Sequence, residues 1–448
     1  MLTTEQACDR VHDIVARARA AGADASDAVF AIDRSLSVSV RMGALEEVER
    51  SENEELGLRV FVGRRSASVS TSDLGSESLD TLVERALAMA REAPEDKWAG
   101  LAPAERLLRG TPPHLDLDDG ANDDPQTLKA RALAAEDAAR AVPGVTNSEG
   151  GSASASRTLM ALATSHGFTG GYAQTSHGVS ASVLAGSGGA MERDHAHASA
   201  RHARMLEAPE IVGRRAGERA VARLNPAKLA SGAMPVVFDR RVSSGILGHF
   251  LGAIGGAAIT RKTSFLQDML GKQVFAKSIT ICDDPHRPRG LRSRPFDGEG
   301  LPVLPITLVD AGMLETWLLD SASARQLNLE PTGHASRGIA GAPGVAPSNL
   351  YMASGSTPPE TLVGEIDHGI LVTELIGQGV NGVTGDYSRG AAGFLIEKGE
   401  ITRPVSEITI AGNLKDMFLA LTPANDLEFR FGINAPTLRI DGMTIAGA

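Results

Sequence analysis

The chain has 448 residues, and its 44 lysines and arginines against 55 aspartates and glutamates give a formal net charge of -11. Hydrophobic residues make up 42% of it and charged residues 22%, which excludes a disordered or fibrous chain and predicts a packed protein of about three domains. Only 8 of the basic residues are lysines, and the 36 arginines are scattered among acids. We therefore expect no nucleic-acid partner.

The chain has two cysteines, Cys8 and Cys282, which are too few for a disulfide framework or a cysteine-based zinc module. Cys282 precedes two aspartates, whose charge disfavours a reactive thiolate. The first residues lack the basic and apolar segments of a secretory signal, and no run of about 18 apolar residues occurs. These features predict a cytoplasmic location without a membrane partner.

Residues 1–110 predict an N-terminal domain of helices and strands. Thr3 and Gln6 have the spacing of a capping box, and apolar residues then recur at the helical period until Gly22. Alternating residues predict half-buried antiparallel strands at 36–40 and 58–69. A second helical pattern completes this part of the chain.

A middle domain is expected at 118–226, after a connection at 94–125 that is rich in proline, aspartate and glycine. Asp124-Pro125 predicts the start of a helix, and 206–224 predicts another. Residues 150–190 are small and rich in glycine and serine, which fits either a flexible linker or closely packed strands. Spaced apolar residues in this stretch favour strands.

Residues 227–448 predict the largest domain. A strand at 234–238 precedes a helical pattern at 242–254, and glycine-containing turns within 308–314 and 395–401 predict hairpins. The predicted fold class is α+β, with N-terminal helix and strand domains followed by a large antiparallel, β-rich, barrel-like C-terminal domain.

One glycine pattern, Gly377-Gln378-Gly379-Val380-Asn381-Gly382, matches a dinucleotide-binding motif after an apolar run. Such a site also requires a helix beginning at the glycines, which the following residues do not favour. A glycine-rich turn in a sheet is the preferred interpretation.

A second pattern places His195, His197 and His202 close together in the sequence, and the first two would share one face of a strand. A metal site and solvated or partly packed histidines are both open interpretations, and the second is preferred because no matching carboxylate or thiol cluster occurs elsewhere. The same applies to His249 on its apolar helix, where a structural role is preferred.

The helix at 245–253, read on to residue 266, resembles the PmbA/TldE branch of the TldD/PmbA family. Four further segments carry the same resemblance, at 283–286, 295–300, 384–390 and 410–417. The resemblance implies a metalloprotease family in which TldD and TldE subunits form a heterodimer that cleaves unfolded peptides, including leader peptides of modified antibiotics and an antitoxin. It also implies that a TldD subunit carries zinc on a His-Glu-x-x-x-His helix and a cysteine near the C-terminus.

The chain departs from that zinc motif at every ligand position. Alignment with the family's helix puts Gly248 at the first histidine, His249 at the glutamate and Ala253 at the second histidine, and the cysteine position falls near Thr422. We therefore expect no catalytic residues and no metal ligands in this chain, with zinc in the partner subunit.

The preferred function is a non-catalytic, TldE-like partner that shapes the chamber and holds an extended peptide, bound to a zinc-bearing TldD-like subunit. The alternatives are a stand-alone peptide-binding or scaffold homodimer without protease activity, and an enzyme of unrelated chemistry. Asp386, Tyr387, Ser388, Arg389 and Gly390 are the predicted substrate-binding residues. Equally open is a bracing role in which Arg389 pairs with Asp386.

Overall fold

The computed structural model of the chain describes residues 2–121 and 124–447. Within these ranges the helices are α1 (Thr4–Ala20), α2 (Ser76–Glu92), α3 (Pro125–Arg140), α4 (Pro209–Ala222), α5 (Arg240–Ile254), α6 (Gly256–Thr260), α7 (Ser321–Leu327), α8 (Pro359–Gly364) and α9 (Leu414–Leu419). None of the helices in the described ranges is long and apolar enough to cross a membrane.

The strands fall into two groups on either side of residue 225. Those before it are β1 (Ala25–Arg41), β2 (Ala44–Val62), β3 (Arg65–Thr71), β4 (Val145–Thr164), β5 (Thr169–Ala185) and β6 (Glu192–Ala200). Those after it are β7 (Gly232–Phe238), β8 (Ile281–Asp284), β9 (Ile306–Asp310), β10 (Met313–Leu314), β11 (Ala335–Ser336), β12 (Gly344–Val345), β13 (Asn349–Met352), β14 (His368–Ile376), β15 (Asp386–Glu397), β16 (Glu400–Asn413), β17 (Leu421–Pro423), β18 (Ile433–Asn434) and β19 (Leu438–Ala446).

The first group forms one antiparallel sheet in the order β3-β2-β1-β4-β5-β6. The glycine- and serine-rich stretch is therefore the strands β4 and β5, as the spaced apolar residues predicted, and not a linker. The pairing of β4 with β1 runs without a break from Asp27 opposite Thr164 to Val40 opposite Gly151. The N-terminal and middle parts of the chain thus share a single sheet.

All four long helices of the first half cover one face of this sheet. Phe30 and Ile32 of β1 pack beneath α1 and α2, and Val38 and Val40 of the same strand pack beneath α3. These residues have even numbers, and alternate residues of a strand point to the same face. Val29, of the opposite parity, is buried on the other face instead.

The predicted starts of α1 and α3 are confirmed. In α1, Thr3 Oγ1 accepts from the N–H of Gln6 at 3.2 Å, and the Gln6 side chain accepts from the N–H of Thr3 at 2.9 Å. The Asp124 side chain accepts from two N–H groups at the start of α3. These contacts satisfy N–H groups that have no partner within the helix.

The second group of strands forms a closed five-stranded barrel, because β16 pairs with both β15 and β19 in the order β16-β15-β14-β7-β19. Most pairs are antiparallel, as expected, but β14 and β7 run parallel. α5 packs its apolar residues into the barrel core. A further sheet, in the order β10-β9-β8-β13-β18, lies beside the barrel.

The second half packs against the face of the first sheet that the helices leave uncovered. The ring of Phe296 lies edge-on to Phe168 at 4.9 Å and to Tyr172 at 5.6 Å between ring centroids. Val29 and Leu162 of the sheet belong to the same buried cluster. The two halves therefore share a small apolar core.

Candidate functional site

The helix α5 carries the positions that the resemblance aligns with a zinc motif. Asp239 caps its start by accepting from the N–H of Arg241 at 2.8 Å. Its buried residues are Ser243, Ile246, Leu247, Phe250, Ala253 and Ile254. The chain leaves the helix at Gly255, whose backbone is extended. Between these ends the helix is regularly α-helical, without a wider turn.

The zinc-ligand positions on this helix do not face a common point. Gly248 is exposed, and a Cβ added to it would meet no atom within 4 Å, whereas Ala253 is buried and only 4% exposed. Five residues of regular α-helix turn through about 140° beyond a full turn, so the two positions point in different directions. Neither residue has a donor atom, and the family's zinc therefore does not fit here.

Thr422, at the cysteine position, lies in β17 opposite Arg439 of β19 and offers only a hydroxyl group. Across residues 2–121 and 124–447, no group of three or more histidines, cysteines, aspartates or glutamates could hold a metal ion. The motif positions thus lack the ligand chemistry of a zinc peptidase as well as its geometry.

His249 projects from α5 onto the strand that follows the glycine-rich turn. Its ring stands edge-on to the ring of Tyr387 at 5.7 Å between centroids. Burial lowers the pKa of His249, and the positive charge of Arg389 lowers it further, so both effects favour the neutral imidazole. The interpretation of His249 as a packed histidine agrees with this contact.

Tyr387 is the largest side chain among the predicted substrate-binding residues, and it is 1% exposed. Burial raises its pKa to about 12. No described residue accepts from or donates to its hydroxyl group. A peptide could reach this side chain only if its neighbours moved, so Tyr387 supports the site from beneath.

Asp386 and Arg389 do not pair, which contradicts the bracing alternative. Asp386 accepts from Thr384 Oγ1 at 2.6 Å and from Asn413 Nδ2 at 3.1 Å, and these contacts lower its pKa. Arg389 instead donates its Nε to the carbonyl oxygen of Ile376 at 3.3 Å. Its guanidinium group is thereby held over the end of β14.

The glycine pattern at 377–382 is a turn between β14 and β15, as preferred, and no helix begins there. Ser388 donates its N–H to the carbonyl oxygen of Gly379 at 2.7 Å. A Cβ on Gly379 would lie 2.1 Å from the carbonyl oxygen of Ser388, so only glycine fits at this close approach. Residues 386–390, the predicted substrate-binding residues, are the first residues of the paired strand β15.

His195, His197 and His202, which are close in the sequence, do not form one cluster in the structure. His195 and His197 share a face of β6, as predicted, with their rings stacked at 6.2 Å. His202 is buried elsewhere, where its Nε2 donates to the carbonyl oxygen of Asp116 at 3.0 Å. His195 and His197 line the same cavity.

That cavity was missed by sequence reasoning. It lies between β6 and α4 on one side and the start of α5 on the other, and arginines from distant parts of the chain converge on it. In the sequence these arginines are scattered, and only the adjacent pair Arg240 and Arg241 gave a local signal. Their convergence depends on how the two halves pack.

Three family models describe the chain almost from end to end. Residues 27–90 match domain 1 of the PmbA/TldA metallopeptidases, 118–224 match the central domain, and 231–447 match the C-terminal domain.

Relatives of known name agree with these matches. The chain is 41% identical over 426 residues to metalloprotease PmbA of Escherichia coli O157:H7, covering 95% of this chain and 92% of that one. It is 40% identical to the metalloprotease PmbA homolog of Haemophilus influenzae, covering 95% and 93%. Metalloprotease TldD homologs of Buchnera aphidicola are more distant, with 26% identity over half of the chain for the one from subsp. Schizaphis graminum.

Solved structures share the whole fold. A candidate modulator of DNA gyrase from Bacteroides thetaiotaomicron superposes with a TM-score of 0.91 at 28% identity and covers 100% of both chains. TldE from Thermococcus kodakarensis superposes with a TM-score of 0.88 over 98% of this chain, and at 20% identity it shows the fold alone. The family matches and the shared fold thus define a chain of the metallopeptidase type. The chain belongs to the PmbA/TldA metallopeptidase family, on its PmbA/TldE branch, which confirms the resemblance.

Proposed function

We propose that this chain is the non-catalytic, TldE-like subunit of a two-subunit zinc metalloprotease that cleaves unfolded peptides. Its share is to shape the chamber and to hold the substrate, while a TldD-like partner supplies the zinc. In such a partner the metal would activate the water that attacks the peptide carbonyl.

The observation that carries this proposal is the geometry of α5. Gly248 and Ala253 have no donor atoms and point in different directions, and His249 packs against Tyr387. The exposed face of the helix at Gly245, Gly248 and Gly252 is open, because a Cβ at any of them would meet no atom within 4 Å. That face leaves room for a peptide backbone or for a partner.

Reconstitution tests the division of labour. An unfolded protein such as casein is offered to this chain, to a His-Glu-x-x-x-His subunit from the same host, and to both together, each with and without chelator. We expect chelator-sensitive cleavage only in the mixture, and less than stoichiometric zinc in this chain alone. Chelator-sensitive cleavage by this chain alone, or full activity of the zinc-bearing subunit without it, would refute the proposal. The second result would favour the stand-alone scaffold.

The substrate-holding role is assigned to the start of β15, where Arg389 presents a half-buried guanidinium beside His249. In the assembled complex, Arg389→Ala should lower peptide turnover several-fold and leave subunit association intact, because the charge that positions the peptide is lost. Arg403→Ala is the matched control, since Arg403 lies at the opposite end of the β15–β16 pair and is 64% exposed. Equal turnover by both variants would count against a contact role for Arg389.

A further inference from the structure

A cavity of about 450 Å³ lies between the two halves of the molecule, apart from the exposed face of α5. Six arginines line it, against four carboxylates. The arginines are Arg193, Arg215, Arg219, Arg240, Arg241 and Arg430, and the carboxylates are Asp194, Asp239, Glu374 and Glu428. The lining therefore has more arginines than carboxylates. The volume of the cavity lies within the size range of binding pockets in proteins.

Five of these six arginines have a carboxylate partner. Arg193 and Arg215 pair with Glu149 and Glu207, which lie outside the lining, and two acids of the lining are each shared between two cations. Asp194, whose side chain is 3% exposed, accepts from Arg241 at 3.0 Å and lies 3.7 Å from Arg223. Glu428 pairs with both Arg240 and Arg430. Each of these acids holds two cations in place.

Arg219 differs from the other arginines in the lining. Its Nη1 donates to the carbonyl oxygen of His195 at 3.1 Å, and within the described residues no carboxylate lies within 4 Å of its guanidinium group. Burial lowers the pKa of Arg219, and the charge of Arg241 lowers it further. Asp194 and Asp239 stabilise this charge only from a distance. A half-buried cation without a carboxylate in direct contact is costly, and an incoming anion would offset that cost.

The rest of the lining combines aromatic and apolar side chains with the polar Thr373 and Asn434. Phe431 lies against His197 at 5.4 Å between ring centroids, and Val242 and Leu375 complete the wall. A neighbouring cavity of about 340 Å³ shares Arg219 and other residues with the first and adds further apolar residues. The added apolar residues are Ala222, Leu371, Phe394 and Ile401. The two cavities therefore adjoin, and the second adds apolar side chains to the charged residues that they share.

We propose that this cleft binds an acidic peptide segment, with a carboxylate at Arg219 and the adjoining apolar side chain in the second cavity. Guanidinium groups bind carboxylates through charge-assisted hydrogen bonds, and two adjoining cavities that offer both charged and apolar walls suit a peptide better than a small anion. The choice of a peptide as the ligand rests on the proposed function, whereas the preference for an oxyanion rests on the cleft itself.

Binding to the isolated chain tests the inference. A short fluorescein-labelled peptide containing Glu-Leu-Glu is titrated at low salt, beside its Gln-Leu-Gln counterpart and with inorganic phosphate as competitor. We expect the acidic peptide to bind more tightly and to weaken with added salt. Arg219→Gln should weaken binding by about tenfold or more, since a charge-assisted hydrogen bond is lost. Arg214 is an exposed arginine of α4 outside the cleft, so Arg214→Gln should leave the affinity for the acidic peptide unchanged.

A second variant keeps the test decisive if Arg219→Gln fails to fold. Arg193 is 58% exposed at the rim, so Arg193→Gln should fold and weaken binding several-fold. Equal affinity for the two peptides, unchanged binding by both variants, or phosphate binding without peptide binding would each overturn the inference. If the acidic peptide does not bind but the reconstituted mixture cleaves casein, only this inference is refuted. If the acidic peptide binds but the mixture does not cleave casein, only the proposed function is refuted.

Discussion

Glu299 is a buried carboxylate beside the segment that packs against the first sheet, and it makes stability depend on pH. Its Oε2 accepts from the N–H and the hydroxyl of Ser321, at 2.9 and 2.6 Å. Burial raises its pKa to about 7, and the charge of Asp297 acts in the same direction. Because the folded state keeps this proton to a higher pH than the unfolded state, the free energy of unfolding should fall as pH rises from about 4.5 to about 7.

The corresponding variant is Glu299→Gln, which has no proton to lose. It should flatten the loss of stability over that pH window by up to roughly 3 kcal/mol, while the raised pKa of Asp297 leaves part of the slope. Urea unfolding at several pH values measures this, with the exposed Glu400→Gln as the control. An unchanged slope in Glu299→Gln would show that the carboxyl group does not titrate between the two states.

At the scale of the element, α5 determines whether zinc chemistry can be restored. Gly248→His, His249→Glu and Ala253→His together would recreate the ligand types on this helix. We expect the triple variant to bind no stoichiometric zinc and to cleave no peptide, because the regular helix turns position 253 into the core and position 248 towards solvent.

Metal analysis after dialysis and a casein assay check this expectation for the triple variant. The same measurements are made on a second variant that also carries Thr422→Cys and so restores the fourth aligned position. One zinc per chain in either variant would mean that α5 can rearrange to converge its ligands. The variants must first be shown to fold, because a histidine at the buried position 253 crowds the core.

At the scale of the whole molecule, the packing of the two halves depends on Phe296, which fills the space between Phe168 and Tyr172. Phe296→Ala should lower the free energy of unfolding by about 3–5 kcal/mol, because it leaves a cavity in a buried cluster. Denaturant unfolding measures this, and limited proteolysis should show earlier cleavage between the halves. Leu419→Ala, at a position that is 50% exposed, is the control and should change stability by less than about 0.5 kcal/mol. Equal effects of the two substitutions would exclude Phe296 from that role.

Local signals were sufficient for much of this fold. The capping box of α1, the Asp124 start of α3 and the hairpin turns before β10 and β16 are each encoded within a few residues, so their chemistry is visible in the sequence. By contrast, the first part of β2 was missed, since residues 44–53 are exposed on both faces and show no alternation. They become a strand because β1 supplies the hydrogen bonds.

The sequence by itself identified the family, because short runs of residues carry the resemblance, and it predicted missing zinc ligands, because Gly248 and Ala253 have no side-chain donor atom. Only the tertiary structure decided that Tyr387 is buried under His249, that Arg389 reaches Ile376 and not Asp386, and that the barrel closes through β16 and β19. It also assembled the arginine-lined cleft. Those contacts join residues far apart in the chain, and their partners are set by packing and charge in three dimensions, which no local pattern records.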